Sequence, residues 1–289
     1  MTPAALDGHH AIITGGGSGI GLGAAHALVA DGAAVTIVGR TRDTLRAAVG
    51  ELGDSAAFVV ADVTDEAAIA AAVQEADDRS PLTIAVANAG RGGAGPLLSM
   101  DVDLWEQTMK VNLTGTFLTF KHAARAIVAN VGDGAPRAGS GAAMCAVSSI
   151  AGVRTHRFFG AYTAAKAAVN SLVENAADEL GSLGLRVNAV APGLVETDLS
   201  MALQSNDEIN EDYRVNMPLG RRGTVTDVAN AIRFLCGPES SWITGVVLSV
   251  DGGHHLRRGP NIDSMLSAVI PDLPAPSGAG SPVAPSANP

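Results

Sequence analysis

Short apolar runs recur along the chain, each followed by a stretch of helical spacing, and this alternation restricts the fold more than any other feature. Residues 11–13, 34–38, 58–61, 83–87, 142–147, 185–190 and 246–250 read as strands. Helical patterns run from the glycines near residue 20 to Asp31-Gly32, then to Gly50, and over 65–78, 101–129 and 226–236. Strands that are apolar at nearly every position are buried on both faces, and strands joined through helices lie parallel. The expected class is α/β, a single doubly wound parallel sheet flanked by helices on both faces. Hydrophobic residues make up 47% of the 289 but aromatic ones only 3%, so the core must be assembled from Ala, Val, Leu and Ile.

The alternation stops at Gly253. Residues 1–253 form the expected domain, and 254–289 a Pro/Ala/Ser-rich extension whose composition favours disorder. The extension is expected to run over a neighbouring subunit. Between Thr197 and Pro218 the pattern loosens into short polar pieces, which fits either a mobile lid or an ordinary surface loop. A formal charge of −10 argues against nucleic acid or an anionic membrane as partner. No apolar segment approaches the roughly 18 residues of a membrane span, and no signal peptide is visible, so a reducing cytoplasm is the expected compartment. Cys145 and Cys236 lack metal-ligand spacing and read as buried small hydrophobes. His254 and His255 are adjacent, and adjacent residues rarely ligate one ion, so no metal is expected.

Thr14-Gly15-Gly16-Gly17-Ser18-Gly19-Ile20-Gly21 joins the first strand to the first helix. Glycine there permits a sharp turn and close approach of a diphosphate, which the helix N-terminus attracts with free amides and its positive dipole end. A Rossmann-like sheet with a dinucleotide at its edge follows. The second strand ends in Gly39, Arg40, Thr41 and Arg42, without the carboxylate that usually takes the ribose hydroxyls of NAD. Arg40 can face a 2′-phosphate with a bidentate fork, so NADP is the expected cofactor, with NAD as the alternative.

Tyr162 and Lys166 stand four residues apart in an Ala-rich helix and therefore share one face. A nearby ammonium favours the phenolate and lowers the phenol pKa from about 10, which suits proton transfer. Ser148 and Ser149 leave the fifth strand where a hydroxyl reaches the same cleft.

Together these motifs resemble the short-chain dehydrogenases/reductases of standard length, over residues 6–253. The resemblance rests on the glycine stretch, Asp62-Val63, Asn88-Ala89-Gly90, Asn112, Ser149, Tyr162 with Lys166, and Pro192-Gly193 followed by Thr197. It implies that Asp62 and Val63 contact adenine, and that Asn88, Ala89 and Gly90 line the cofactor side of the sheet. It implies that Lys166 holds the nicotinamide ribose, that Ser149 bonds the substrate oxygen, and that Asn112 supports a water-linked proton path. Val195 and Thr197 are implied to fix the carboxamide. The implied activity is hydride transfer between NADP(H) or NAD(H) and a carbonyl or secondary alcohol, with Tyr162 as general acid/base. The alternative is a non-catalytic dinucleotide sensor or scaffold.

The substrate is less constrained. Arg91 to Pro96, Phe158, Phe159, Leu194, Met201, Leu203 and Met217 suit a small, largely apolar molecule, whereas Arg154, His156 and Arg157 either receive an anion or face solvent. The family likeness and the small Ala-rich surface of 161–177 imply a homo-oligomer, a dimer or a tetramer.

Overall fold

A computed structural model of the protein describes residues 5–131, 141–197, 200 and 206–257. The extension beyond 257, with its expected course over a neighbour, lies outside the described residues, as do Met201 and Leu203.

Seven strands form one sheet: β1 (His10–Thr14), β2 (Ala34–Gly39), β3 (Ala56–Val60), β4 (Ile84–Ala87), β5 (Ala143–Val147), β6 (Arg186–Pro192) and β7 (Val247–Val250). All pairs are parallel in the order β3-β2-β1-β4-β5-β6-β7. The chain builds outward from β1 to β3, then returns to lay β4 on the other side of β1. The order thus reverses between β1 and β4, and the loops leaving these strands diverge there to open a crevice. Register brings the strand ends level along that edge: Thr14 pairs with both Val38 and Ala87, and Val147 with Val190.

Side-chain alternation along the strands builds two cores. Ile12, Ala85, Met144 and Val187 face one side, where α3 (Glu66–Arg79), α5 (Gly115–Val131) and α6 (Gly160–Gly181) supply Ile69, Ile127 and Val169. Ala11, Ile13, Val86 and Cys145 face the other, covered by Leu28 of α1 (Gly19–Ala30), Leu45 of α2 (Arg42–Leu52) and Ile232 of α8 (Val225–Cys236). Cys145 and Cys236 meet in this second core as free buried thiols; a hydrogen bond between them, and burial, push the Cys145 thiol up.

Three details depart from the sequence reading. β3 begins at Ala56, two residues before Phe58, because pairing with Val35 and Thr36 extends it. The helix expected over 101–129 is two, α4 (Val102–Met109) and α5, joined by a π-helical turn at Lys110–Thr114. The loose region before Pro218 contains α7 (Asp207–Asn216), capped by Asn206 accepting from the Ile209 amide. Among the described residues no helix is long and apolar enough to cross a membrane.

At the start of β1, buried polar contacts tie strands together. His10 donates through Nδ1 to the Ser80 carbonyl (2.8 Å) and accepts through Nε2 from Thr36 Oγ1 (2.9 Å), while His9 Nδ1 bonds Thr83 Oγ1 (2.9 Å). Burial lowers the pKa of both rings below the ordinary 6.5. Between the folded and unfolded values the unfolded chain binds more protons, so stability is full above about pH 6.5 and declines as pH falls. The urea midpoint should therefore drop between pH 7.5 and pH 5.5. His10→Gln, measured the same way, should show a shallower drop, and an unchanged slope would exclude His10 as its source.

Candidate active site

The loop leaving β1 is clamped from both sides. The Gly15 and Gly16 amides donate to the Val38 carbonyl of β2 (2.7 and 3.3 Å). From the end of β4, Asn88 donates through Nδ2 to the carbonyls of Thr14 (3.1 Å) and Gly15 (3.0 Å). Thr14 Oγ1 in turn accepts from the amides of Asn88 (3.2 Å) and Ala89 (3.4 Å). A Cβ on Gly21 would stand 2.3 Å from the Gly15 oxygen and 2.4 Å from Asn88 Nδ2, so only glycine lets α1 begin this close. Gly15, at φ +65°, makes the turn beneath it. Ser18 is the N-cap but forms no side-chain cap bond, and the first turn carries no acidic residue. The amides at this helix start thus face the cleft unclaimed by a carboxylate or capping hydroxyl, which fits a diphosphate.

Past the ends of β2 and β3, outside the main cavity, lie Arg40, Thr41, Asp62 and Val63. Arg40 is exposed and Thr41 caps α2 without a side-chain bond. Asp62 accepts from the Thr64 amide (2.9 Å), and this bond, with a smaller contribution from the nearby Arg40 charge, lowers its carboxyl pKa. Val63 is buried against Gly115. Thr14, Gly17 and Gly21 do not line the cavity.

The cavity, about 340 Å³, collects the other candidates. Gly15, Ser18, Gly19 and Ile20 form one end, and Asn88, Ala89 and Gly90 the floor. Ser149, Tyr162 and Lys166 stand opposite, beside Pro192, Gly193, Val195 and Thr197. Lys166 is 3% exposed and donates Nζ to the Val147 carbonyl (2.7 Å). Burial brings its pKa down to about 8. Tyr162, one turn earlier on α6, lines the cavity with Ser149, whose hydroxyl acts to lower the phenol pKa. Ser149 Oγ also accepts from the Ala151 amide (3.1 Å), which fixes its rotamer.

The expected lowering of the Tyr162 pKa is not what this arrangement gives. Burial raises it above 10, with the Ser149 hydroxyl acting in the other direction. The ammonium lies over the Tyr162 ring, 5.7 Å from its centroid, and spends a donor on Val147. Desolvation of the phenol outweighs it.

Asn112 sits in the π turn, fully buried, with every amide atom engaged. Oδ1 accepts from the Arg91 amide (3.3 Å), and Nδ2 donates to the carbonyls of Arg91 and Thr108 (both 2.9 Å). Its side chain clamps the loop after β4. Its carbonyl takes the Thr116 hydroxyl (2.8 Å).

Across the cleft, Val195 forms a bridge with Gly223, and Ser200 Oγ donates to the Val195 carbonyl (2.6 Å) while accepting from the Thr197 amide (3.2 Å). The substrate end is walled by His156, Phe159, Leu194 and Tyr213. Arg154 is exposed and Arg157 stacks on Phe158 (4.5 Å); neither lines the cavity, so the anion-receiving arrangement is not formed there. Met217 is buried beneath with Leu194, Ile209 and Tyr213. Tyr213 and Ser200 were not singled out from the sequence. The four-residue spacing of Ile209, Tyr213 and Met217 was the available signal for the first.

The family model described as enoyl-(acyl carrier protein) reductase matches residues 15–255. A galactitol 2-dehydrogenase (L-tagatose-forming) from Cereibacter sphaeroides is 38% identical over 252 residues, 86% of this chain and 96% of that protein. A cis-4-hydroxycyclohexanecarboxylate dehydrogenase from Sinomonas cyclohexanicum is 38% identical over 248 residues, 84% of this chain and 95% of that protein. The solved structure of a short-chain type dehydrogenase/reductase from Mycobacterium ulcerans matches with a TM-score of 0.85 at 42% identity, covering 92% of this chain and 96% of its own. The chain therefore belongs to the short-chain dehydrogenase/reductase family and is an oxidoreductase that moves a hydride between a nicotinamide dinucleotide and a carbonyl/alcohol pair.

Proposed function

We propose that the protein is an NADP-dependent oxidoreductase of small neutral ketones and secondary alcohols, with Tyr162 as general acid/base. The observation that carries this reading is that Ser149 and Tyr162 line one cavity, with the buried Lys166 ammonium 5.7 Å from the centre of the Tyr162 ring. The names of the two relatives above describe hydroxyl-bearing substrates, which supports a carbonyl/hydroxyl pair. In this reading the Gly15, Gly17, Ser18, Gly19, Ile20 and Gly21 loop cradles the diphosphate, with the Ser18, Gly19 and Ile20 amides as donors, and Arg40 and Thr41 take the 2′-phosphate. Thr14 holds that loop in place. Asp62 and Val63 border the adenine, Asn88, Ala89 and Gly90 the inner ribose, and Pro192, Gly193, Val195 and Thr197 the carboxamide.

When bound, the dinucleotide supplies or accepts the hydride. The protein's own work is positioning and proton transfer. Ser149 and Tyr162 together grip the reacting oxygen, stabilising the charge that develops on it. In reduction Tyr162 delivers its proton to that oxygen, and a phenol held protonated by burial is in the right form to do so. In oxidation it must first lose that proton. Lys166 orients the ribose, and its charge eases that loss. Asn112 is a positioning residue for the Gly90-Arg91 backbone. Two buried free thiols suit a reducing cytoplasm.

The apolar groove between α5 and α6, lined by Phe117, Ala124, Leu172, Ala176 and Leu183, supports a homo-oligomer, a dimer or a tetramer, in which a second copy covers it. Phe117 and Leu183 are each 45% exposed in the single chain.

Tyr162→Phe should keep dinucleotide binding, followed by nicotinamide fluorescence, while turnover falls about 10²- to 10⁴-fold; near-normal turnover removes Tyr162 from the proton-transfer role. Arg40→Asp should weaken NADPH binding in a fluorescence titration and strengthen NADH binding, and an unaltered ratio of the two dissociation constants would exclude Arg40 as the phosphate reader. Phe117→Arg sets a third cation beside Lys121 and Arg125 in the groove and should shift the sedimentation coefficient towards the monomer. A species of unchanged size would place the interface elsewhere.

A further inference from the structure

The end of the cleft away from the glycine loop is built from a ladder of rings. His156 meets Phe159 edge-on with centroids 6.4 Å apart, His254 meets His156 at 6.2 Å, and Tyr213 meets His254 at 5.4 Å. Two rungs carry polar atoms to the cavity wall, His156 and Tyr213. His156 packs on Phe159 and His254, and Tyr213 on His254.

Their hydrogen-bonding capacity is complementary. His156 donates Nδ1–H to the Arg154 carbonyl (3.2 Å), which leaves Nε2 as a lone-pair acceptor in the neutral ring. Burial, with a smaller contribution from His254, lowers the His156 pKa and favours that neutral form. Tyr213 is 4% exposed, and among the described residues its hydroxyl has no hydrogen-bond partner. Burial holds the phenol protonated, and the neighbouring Tyr162 adds to the effect, which also places the two hydroxyls within electrostatic reach. An acceptor and a donor thus share one wall.

The charge inventory narrows what they receive. Among the described residues lining the cavity there is no carboxylate, and the cation present, Lys166, already bonds Val147. A carboxylate at this wall would meet the His156 lone pair with no cation to offset it. A hydroxyl, unlike a carboxylate, can donate to the His156 Nε2 lone pair and can equally accept from Tyr213 Oη.

The geometry points to His156 and Tyr213 as a paired subsite for a second, neutral hydroxyl of the substrate, which makes diols and hydroxyketones the favoured class over mono-alcohols and hydroxy acids. The inference rests on the reading above that Ser149 and Tyr162 hold the reacting oxygen. His254 acts here as a positioning residue, packing between the two polar rings.

The test compares three probes on one ring, cyclohexanol, a vicinal cyclohexanediol and the vicinal hydroxycyclohexanecarboxylate, by kcat/KM with oxidised NADP. The wild type should favour the diol over cyclohexanol by about tenfold, the worth of one hydrogen bond, and turn over the carboxylate less well than either. Tyr213→Phe keeps the ring contact with His254 and removes only the donor, and His156→Phe keeps an edge towards Phe159. Each, once shown by thermal melting to be folded, should bring the diol preference close to one. A wild-type diol preference near one, a preference for the carboxylate, or a ratio unmoved in both folded variants overturns the subsite and leaves the Tyr162 reading intact. The wild-type panel decides the question even if the variants fail to fold. Dinucleotide binding with no turnover of any of the three probes overturns the subsite and the Tyr162 reading together.

Discussion

The site depends on one buried bond, the Lys166 ammonium donating to the Val147 carbonyl at the end of β5. Taking a charge out of water is costly unless it is bonded, and burial accordingly brings the lysine pKa down to about 8. The surrounding structure holds the bond in place. Ser148 Oγ shares its one proton between Asn170 Oδ1 (2.5 Å) and, more weakly, the Lys166 carbonyl (3.3 Å), fastening α6 to the strand end. Gly152 has no Cβ that would stand 2.8 Å from the Lys166 oxygen. With α6 seated in this way, Tyr162, one turn earlier, projects into the crevice beside Ser149.

Two asparagines do for the neighbouring loops what this bond does for the helix. Asn88 closes the backbone of the glycine loop from the β4 side, and Asn112 closes the backbone after Gly90. Loops at the reversal of strand order leave their carbonyls and amides without sheet partners, and a buried unpaired group costs roughly 1–3 kcal/mol. A short side chain with both a donor and an acceptor meets that need without filling the cleft. The fit is close: a Cβ on Gly90 would stand 2.9 Å from Asn112 Oδ1. Structural satisfaction and placement of the site are therefore one requirement at these positions.

The sheet was legible because its strands are apolar on both faces, a pattern that helix-to-helix packing does not produce. The glycine stretch and the Tyr162–Lys166 pair were legible because backbone approach and helical spacing are local properties. What escaped was non-local. The amphipathic pattern runs unbroken through 110–114, and nothing in its period marks the π turn that aims Asn112 inward. Tyr213 belongs to a helix with few apolar positions, and its place on the cavity wall comes from the fold of a segment far from Tyr162 in sequence. Arg154 and Arg157 read as a basic cluster, yet both are exposed, Arg157 lies over the Phe158 ring, and neither lines the cavity.

The direction of the Tyr162 shift also lay beyond sequence, since it turns on which of two opposed effects is larger. Four-residue spacing brings an ammonium near a phenol, but the same packing that buries the lysine buries the tyrosine. Burial disfavours both charged forms, raising the phenol and lowering the amine. At neutral pH the tyrosine is thus held as an acid, ready to give a proton, while the lysine keeps most of its charge. Raising the pH works on the pair in opposite senses. It moves towards the phenolate that alcohol oxidation needs, and near pH 8 it begins to remove the positive charge that would stabilise that phenolate. Carbonyl reduction uses the proton already in place, whereas alcohol oxidation must first remove it.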